Sequence, residues 1–381
     1  MKPFDAQTSS APFNNKDLFV TFYVLMTPKV SSPTTHFRIS KVITALSLIA
    51  AQTALGQSEA LPTKAHLQVF GDVFIDGRAL ATVAPPEGPT ALFSGVSDLL
   101  ATSQFNLVNF EGSATKALRG LPSKEFHLRM PVTTPRTLAD AGIEGVTLAN
   151  NHSMDFGWMG LFETLSGLRR AGLSSAGAGE NYAAAAHPLY FANEQVRVCI
   201  LSFARTFPES AWATTSRAGT ANPSPQHLRK SIQDCVAAHA SPIVIFHWGR
   251  ELESVPQPYQ RELGHLAIEA GAVAVIGHHP HVLQEIEVYM GKPIIYSIGN
   301  FVFSSLPLHS SPEGIAVRMT WISPTQIAYE LVPLTVNNRK VNYRPRPLLE
   351  GETDPLLAKI LPAHGKSCSW VPTRKLWACL F

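Results

Sequence analysis

Short apolar runs recur between residues 67 and 276, and amphipathic segments separate them. The runs that predict buried strands cover residues 67–70, 105–110, 145–149, 196–203, 243–246 and 272–276. The segments that predict helices cover residues 91–104, 137–141, 159–171, 227–239 and 259–270. Strands that alternate with helices pair in parallel through right-handed crossovers. The pattern therefore predicts an α/β fold with a mostly parallel sheet.

The pattern changes after Gly277, where apolar strands follow one another without helices between them. The predicted strands cover residues 285–289, 293–298, 314–322 and 326–332. Residues 290–292 and 337–339 have the composition of hairpin turns. A parallel part followed by an antiparallel part predicts two sheets packed face to face, with the helices outside.

The first 60 residues predict export. Residues 36–41 form a basic segment, and residues 42–51 form an apolar segment that is too short to span a bilayer. Small residues follow, as at a signal-peptide cleavage site: Ala54, Gly56 and Ala60. We expect a signal peptide at about residues 36–60, translation from Met26, and a periplasmic or extracellular protein. The alternative is a buried or anchoring apolar helix; no cysteine lies near the cleavage region, so a lipoprotein anchor is not expected.

Composition indicates a globular protein, because 45% of the residues are hydrophobic and 15% are charged. The net charge of +3 is too mild to indicate a nucleic-acid partner, and the chain has no stripe of Lys and Arg. Cys199 and Cys235 are predicted to be buried and inert, whereas Cys368 and Cys379 could pair in an oxidising compartment. None of the four has metal-ligand spacing, so a metal would have to be held by nitrogen and oxygen.

Histidines, amides and acids gather directly after the predicted strands. Three segments show this: ANNHSMD at residues 149–155, FHWG at 246–249 and GHHPH at 277–281. Asp72 and Glu111 likewise follow the first two strands. The loops at the carboxyl ends of parallel strands open onto one crevice, so we expect these side chains to meet there. Carboxylate, amide and imidazole together suit one or two divalent ions of Mn, Fe or Zn.

His279 and His281 lie two residues apart. In an extended segment their rings would point to one side, which would suit a shared metal.

Five sequence blocks follow one another in a fixed order: GDVFIDGR (71–78), NFEGSAT (109–115), the long block at 142–181, HWGREL (247–252) and the block at 275–303. Together they resemble the CapA family, named for poly-γ-glutamate capsule synthesis, within the calcineurin-like metallophosphoesterase superfamily. The resemblance spans about residues 65–303.

The resemblance implies a four-layer α-β-β-α sandwich of the metallophosphoesterase type. Residues 1–60 would be the extension with its signal peptide, and residues 65–305 the domain of this type. Residues 306–381 would add strands that complete the sandwich, followed by an irregular tail.

The resemblance also implies residue roles. Its metal-binding positions fall on Asp72, Glu111, Asn151, His247, His279 and His281. His152 would be a catalytic histidine that donates a proton or stabilises charge, and Asp155 would orient it. Two departures put full dinuclear occupancy in doubt: Phe74 stands where the superfamily has a second ligand, and Glu111 follows Asn109-Phe110 where the superfamily has Gly-Asp.

Four further residues receive predicted supporting roles. Arg78 and Arg250 are candidates to bind an anionic substrate, although a structural salt bridge is an equal alternative for Arg78. His278 is predicted to support the metal ligands rather than bind metal, and Asn150 to shape its loop through backbone hydrogen bonds.

Two hypotheses about function follow. The first is an exported, metal-dependent hydrolase of the phosphoesterase type in capsule, poly-γ-glutamate or other cell-envelope polymer synthesis, with an anionic polymer or phosphoester as substrate. The alternative is a non-catalytic accessory subunit that binds the polymer or its membrane synthase complex and assists export. Neither hypothesis involves nucleic acid.

Overall fold

The computed structural model describes residues 66–83, 85–122, 124–304, 311–349, 352 and 360, and the backbone of residues 368–371 and 376–379. The predicted signal peptide and the side chains of Cys368 and Cys379 lie outside the described residues. Among the described residues, no helix combines the length and apolar character needed to cross a membrane.

The strands of the described residues are β1 (Leu67–Phe74), β2 (Asn106–Phe110), β3 (Ser113–Ala114), β4 (Arg129–Met130), β5 (Gly145–Thr147), β6 (Ser174–Ala176), β7 (Ala178–Gly179), β8 (Leu189–Ala192), β9 (Arg197–Ala204), β10 (Gly219–Thr220), β11 (Ser241–His247), β12 (Ala274–His278), β13 (Ile286–Tyr289), β14 (Lys292–Ile295), β15 (Asn300–Phe303), β16 (Glu313–Ser323), β17 (Gln326–Thr335), β18 (Arg346–Pro347), β19 (Cys368–Val371) and β20 (Leu376–Cys379).

The helices are α1 (Gly77–Leu80), α2 (Ser97–Ala101), α3 (Thr134–Asp140), α4 (Gly157–Ala171), α5 (Tyr182–Ala185), α6 (Pro225–Ala237), α7 (Pro258–Glu269) and α8 (Asn338–Val341), with 3-10 turns at Pro89–Val96 and Glu209–Ala211.

Two large sheets organise these elements. The ten-stranded sheet has the order β19-β20-β17-β16-β1-β2-β5-β6, with β15 also paired to β1 and β18 to β17. The six-stranded sheet has the order β13-β14-β12-β11-β9-β8. Both sheets mix parallel and antiparallel pairs, since β1 is parallel to β2 but antiparallel to β16, and β9 is parallel to β11 but antiparallel to β8. The predicted order along the chain is confirmed, because the strands up to β12 pair mainly in parallel and the later hairpins β13–β14 and β16–β17 are antiparallel, but the two parts do not form separate sheets.

Three apolar layers separate the sheets and helices. Each layer has representative buried residues: Val108 and Leu161 between the ten-stranded sheet and α4, Val69 and Ile243 between the two sheets, and Val244 and Ile232 between the six-stranded sheet and α6. This gives the order helix, sheet, sheet, helix. The predicted four-layer α-β-β-α sandwich is confirmed.

Strand β1 shows how the sequence produces this layering. Every residue of β1 is buried, as expected of a strand covered on both faces. Val69 belongs to the layer between the sheets, and the next residue, Phe70, belongs to the layer under the helices. A Cβ atom at Gly71 would lie 2.1 Å from the carbonyl oxygen of Gly299. Glycine is therefore required at this position of β1, where the backbone just before β15 passes close by.

The outer helices follow helical periodicity and have suitable ends. Helix α4 buries Leu161, Thr164 and Leu168 at spacings of three and four residues, and it ends at Gly172 in the left-handed region. The side chain of Ser224 accepts a hydrogen bond from the backbone N–H of His227 and so begins α6.

Cys199 and Cys235 form a disulfide that joins β9 to α6, with Cα atoms 6.0 Å apart. Both are buried, as predicted. The prediction that they are inert was wrong, because spacing along the sequence could not show that a strand and a helix 36 residues apart bring them into contact.

Two other local predictions were wrong. Residues 91–104 do not form one helix, because a 3-10 turn that begins at Pro89 precedes the short helix α2. Residues 337–339 begin helix α8 instead of a hairpin, since the side chain of Asn337 accepts the N–H of Arg339 and acts as its N-cap.

We predict that the double substitution Cys199→Ala/Cys235→Ala lowers the free energy of unfolding by about 3–4 kcal/mol, from the entropy of closing this loop in the unfolded chain. Urea unfolding followed by tryptophan fluorescence measures the change. Cross-linked peptides that contain both cysteines should be found by mass spectrometry without reductant. Alkylation of both thiols in the unreduced, urea-unfolded protein would contradict the disulfide.

Candidate metal centre

Strands of both sheets end at one edge of the sandwich, and the predicted polar residues meet there. In the ten-stranded sheet, Asp72 of β1 lies opposite Asn109 of β2, and Glu111 directly follows β2. In the six-stranded sheet, the ends of β11 and β12 pair His247 with His278. Because both sheets open at the same edge, acids from one face histidines from the other.

Glu111 lies at the centre of this group. Two sets of three side chains each place their ligand atoms within 4.8 Å of one another: Glu111 with His247 and His279, and Glu111 with Asp72 and His281. Oε1 of Glu111 is 3.7 Å from Nε2 of His247 and 3.7 Å from Nε2 of His281. We call these sets the His247 triad and the His281 triad. Glu111 is the one residue that the two sets share.

Asn151 joins the His247 triad. Nε2 of His247 donates a hydrogen bond to Oδ1 of Asn151 at 2.8 Å, and Nδ1 of the same ring accepts from Nδ2 of Asn109 at 3.2 Å. The Nε2 side of the ring therefore faces two oxygens, from Asn151 and Glu111. All six predicted metal-binding residues are brought together.

Two buried atoms indicate that these residues fit a divalent metal. Oε1 of Glu111 and Nδ1 of His279 are shielded from solvent and have no hydrogen-bond partner. Buried polar atoms are nearly always paired, so such an oxygen at the meeting point of two triads calls for a cation. The donors are carboxylate, imidazole and amide, which suit Mn, Fe or Zn.

The backbone holds His279 and His281 in a conformation that the sequence did not predict. Both have positive φ, 97° and 56°, so the segment is not extended. Two backbone hydrogen bonds hold this segment: Leu252 N–H donates to Pro280 O, and Ser311 N–H donates to His281 O. The two rings belong to different triads instead of sharing one side, and strain of this kind is typical of functional sites.

The surroundings shift the pKa values of the two carboxylates in opposite directions. Burial, and then the charge of Asp72, raise the pKa of Glu111 well above its ordinary value. Burial, the largest single influence, favours a raised pKa for Asp72, but the hydrogen bonds from His281 and Asn109 and the charges of His278 and His281 together outweigh it, and the pKa of Asp72 is lowered.

The pKa values of the histidines are also shifted in opposite directions. Although burial opposes it, the carboxylates of Glu111 and Asp72 raise the pKa of His281 to about 10. Burial, and then the charge of His281, lower the pKa of His279 to about 3. Burial and neighbouring histidines also lower the pKa of His247 well below its ordinary value. His247 and His279 are thus neutral. Nε2 of His247 carries the proton that it donates to Asn151, and His281 is protonated, so a metal must displace a proton from each of these two rings.

His152 and Asp155 form a pair beside the triads. Nδ1 of His152 donates to Oδ2 of Asp155 at 2.8 Å. The same carboxylate accepts the N–H of Leu128 at 2.6 Å and forms an ion pair with Lys124. Burial lowers the pKa of His152 despite the attraction of Asp155, so the ring is neutral near pH 7. With its proton on Nδ1, Nε2 of His152 is left as a proton acceptor.

A family model described as bacterial capsule synthesis protein PGA_cap matches residues 66–305. This chain belongs to that family. Its match to the capsule biosynthesis protein CapA of Bacillus anthracis is 34% identical over 247 residues, and its match to the PGA biosynthesis protein CapA of Bacillus subtilis is 32% identical over 236 residues. These matches cover 63% and 61% of this chain, and 60% and 62% of the relatives, so the chain spans about three fifths of their length.

Solved structures resemble the chain only in part. The NAD nucleotidase of Haemophilus influenzae gives a TM-score of 0.42 at 12% identity, over 79% of this chain and 58% of that one. The sulfate thiohydrolase SoxB of Thermus thermophilus gives 0.42 at 8% identity, over 76% and 57%. The fold is established by the strand order and the three apolar layers.

Membership in the PGA_cap family confirms the resemblance predicted from the five blocks, and one of the departures in those blocks, Phe74, has a structural counterpart. Phe74 is buried, and its ring centroid lies 5.6 Å from that of Phe303, which in turn lies 4.8 Å from that of His281. An apolar contact therefore borders the His281 triad at the Phe74 position.

His278 and Asn150, which were predicted to have supporting roles, both form hydrogen bonds beside the metal ligands. Nε2 of His278 donates to the carbonyl of Phe70 at 3.1 Å, and His278 belongs to neither triad. Asn150 donates to Phe110 O at 2.9 Å and accepts the N–H of His152 at 3.0 Å, so it shapes the loop after β5.

The two arginines predicted to bind substrate have different positions. Arg78 is 49% exposed and forms an ion pair at 2.8 Å with Asp76, the N-cap of α1, and no contact joins it to the triads. Its structural alternative is the one that the geometry favours. Arg250 lies in a cleft beside the centre, together with Asn151 and His279.

Sequence reasoning missed Asn109 and Lys124. Nδ2 of Asn109 donates to Oδ1 of Asp72 at 2.7 Å and contacts His247, so one amide links both sheets. Its place two residues before Glu111, on the same face of the strand, was the available signal. Lys124 comes from a loop without regular pattern, and no signal in the sequence identified it.

We predict that the full chain, loaded with Mn²⁺ and freed of excess ion, holds about two ions and that Glu111→Ala removes both. Glu111 belongs to both triads, whereas His279→Ala removes a ligand of one and should leave one ion. Plasma mass spectrometry measures the content. Glu262→Ala, an exposed change on α7, is the matched control and should keep two ions. Full metal content in Glu111→Ala would contradict the shared ligand.

We predict that metal affinity rises with pH through the neutral range. The carboxylates of Glu111 and Asp72 raise the pKa of His281 to about 10, so the metal-free centre carries a proton near pH 7 that binding must release. Each displaced proton makes affinity rise by about tenfold per pH unit. Calorimetry in buffers of different ionisation enthalpy counts the released protons. Affinity that is independent of pH between 6 and 8 would contradict the assignment.

Proposed function

We propose that this protein is an exported, metal-dependent hydrolase of the phosphoesterase type that acts in the synthesis of poly-γ-glutamate or another anionic envelope polymer. The observation on which this depends is the unpaired, buried Oε1 of Glu111 between two ligand triads. A site that held only one structural ion would not need a second set of ligands around the same carboxylate.

Bound divalent ions would supply a nucleophilic water near neutral pH and neutralise phosphoryl oxygens. Glu111 and the two triads would hold them. Lys124 and the N–H of Leu128 fix Asp155, and Asp155 fixes the tautomer of His152. The free Nε2 of His152 can then accept a proton during reaction and return it to a leaving oxygen.

Export is supported by chemistry within the described residues. The disulfide between Cys199 and Cys235 favours an oxidising compartment, since such bonds are rare in the cytosol. The signal peptide predicted at residues 36–60 would direct the chain there.

The names of relatives in the family are the basis for proposing a polymer. The relatives in Bacillus are named for capsule and PGA biosynthesis. We therefore propose an anionic polymer as the substrate or partner of this chain.

An accessory role is the second candidate. Phe74 and Phe303 border the His281 triad where a further ligand would stand, which favours weak binding at that triad. A Mycobacterium tuberculosis relative, 32% identical over 213 residues, is named "Probable polyglutamine synthesis accessory protein". In this role the chain would bind the polymer or its synthase complex without turnover.

We predict that the Mn²⁺-loaded full chain hydrolyses an aryl phosphodiester and that Glu111→Gln abolishes this activity. His152→Asn should lower kcat by about 10²–10⁴-fold while leaving two ions bound, because it removes a proton acceptor and no ligand. The measurement is release of the aryl alcohol, with metal content determined on the same samples.

Glu262→Gln serves as the control and should keep wild-type activity. A chain that carries two ions yet turns over neither phosphodiesters nor γ-glutamyl polymer would overturn the hydrolase proposal and favour the accessory role.

A further inference from the structure

A cleft of about 710 Å³ opens beside the metal centre, and neither the predicted ligands nor the catalytic pair account for it. Asn151 and His279 of the His247 triad form part of its wall. Its volume lies within the roughly 300–1,000 Å³ of small-molecule sites. A ligand in this cleft would therefore lie against the metal ligands.

Arg205 and Arg250 bring positive charge into the cleft wall. The N–H of Arg205 donates to His247 O at 2.8 Å, so its backbone lies directly beside a metal ligand. Its guanidinium donates to Oδ1 of Asn222 at 2.9 Å, and no carboxylate among the described residues pairs with it. Arg250 pairs at 3.3 Å with Glu253 at an exposed position, a contact of little energy that a ligand can replace.

Two hydroxyl groups add hydrogen-bonding capacity. Tyr259 OH accepts the N–H of Gly249 at 2.6 Å, which leaves its own proton for another acceptor. Tyr259, Arg205 and Arg250 all line the same cleft. Oγ1 of Thr206, also in the wall, is buried without a partner. An acceptor in the cleft would satisfy it.

An aromatic surface adjoins these donors. Phe207 is 70% exposed, and its ring lies 5.7 Å from that of Trp212, whose Nε1–H donates to Thr206 O at 2.8 Å. Exposed aromatic carbon beside guanidinium groups suits a ligand that alternates methylene groups with anions. Glu251 is the one acid among the lining residues, against two arginines.

We propose that this cleft is a carboxylate-binding subsite that holds a γ-linked glutamyl segment against the metal centre. Arg205 and Arg250 bind carboxylates, and Phe207 with Trp212 packs on the methylene groups between them. The identity of the segment rests on the proposed function, but binding in the cleft does not require turnover.

The test is fluorescence anisotropy of a labelled γ-linked glutamate oligomer with the full chain, both metal-loaded and chelated. Arg205→Gln should weaken binding by about tenfold or more, since a charge-assisted hydrogen bond contributes ~1.5–3 kcal/mol. Arg205→Gln/Arg250→Gln should weaken it further. Arg205→Lys should recover part of the affinity, because charge remains while the planar guanidinium is lost.

Arg136→Gln is the matched control, because it removes the same charge from an exposed ion pair on α3. It should change affinity by less than about twofold. Equal losses in Arg136→Gln and Arg205→Gln would overturn the subsite, and so would oligomer binding that Arg205→Gln leaves unchanged.

The two proposals fail in different ways. Binding that depends on Arg205 in a chain without turnover would support the subsite and overturn the hydrolase. Phosphodiester turnover in a chain that does not bind the oligomer would overturn the subsite alone. Inorganic phosphate that binds through Arg205, when the oligomer does not, would also overturn it.

Discussion

A buried carboxylate must be paired with positive charge, and Glu111 imposes this requirement on the whole edge of the sandwich. One of its oxygens has no hydrogen-bond donor, and histidines from the other sheet approach it from two sides. A proton on His281 offsets this charge in the metal-free chain, and bound cations would satisfy it better because Oε1 of Glu111 and Nδ1 of His279, which have no hydrogen-bond partner, would then gain one. Both the electrostatics and the proposed chemistry follow from this one oxygen.

The four-layer sandwich is what brings the required groups together. Acids and amides come from the ten-stranded sheet, and histidines come from the six-stranded sheet. The amide of Asn109 contacts both Asp72 and His247, so the relative position of the two sheets is fixed at the site itself. The disulfide between Cys199 and Cys235 fixes β9 to its outer helix, and Arg205 follows β9 into the cleft.

Sequence predicted the features that depend on short-range pattern. Buried strands were recognised from apolar runs, and the metal-binding residues from their places at strand ends. It did not predict features set by contacts distant in sequence, such as Lys124 on Asp155 or Arg205 beside His247. Periodicity also failed where backbone conformation was unusual: His279 and His281 have positive φ, so an alternation rule for extended chains assigned their rings to one side when they belong to two triads.

We propose that Glu111 and the two triads would hold two metal ions close together. Electron paramagnetic resonance of the full chain loaded with Mn²⁺ tests it most directly, because two ions that share a carboxylate are magnetically coupled. The account predicts the spectrum of a coupled pair in the wild-type chain and of a single isolated ion in His279→Ala. A fully loaded wild-type chain that shows only isolated ions would contradict it.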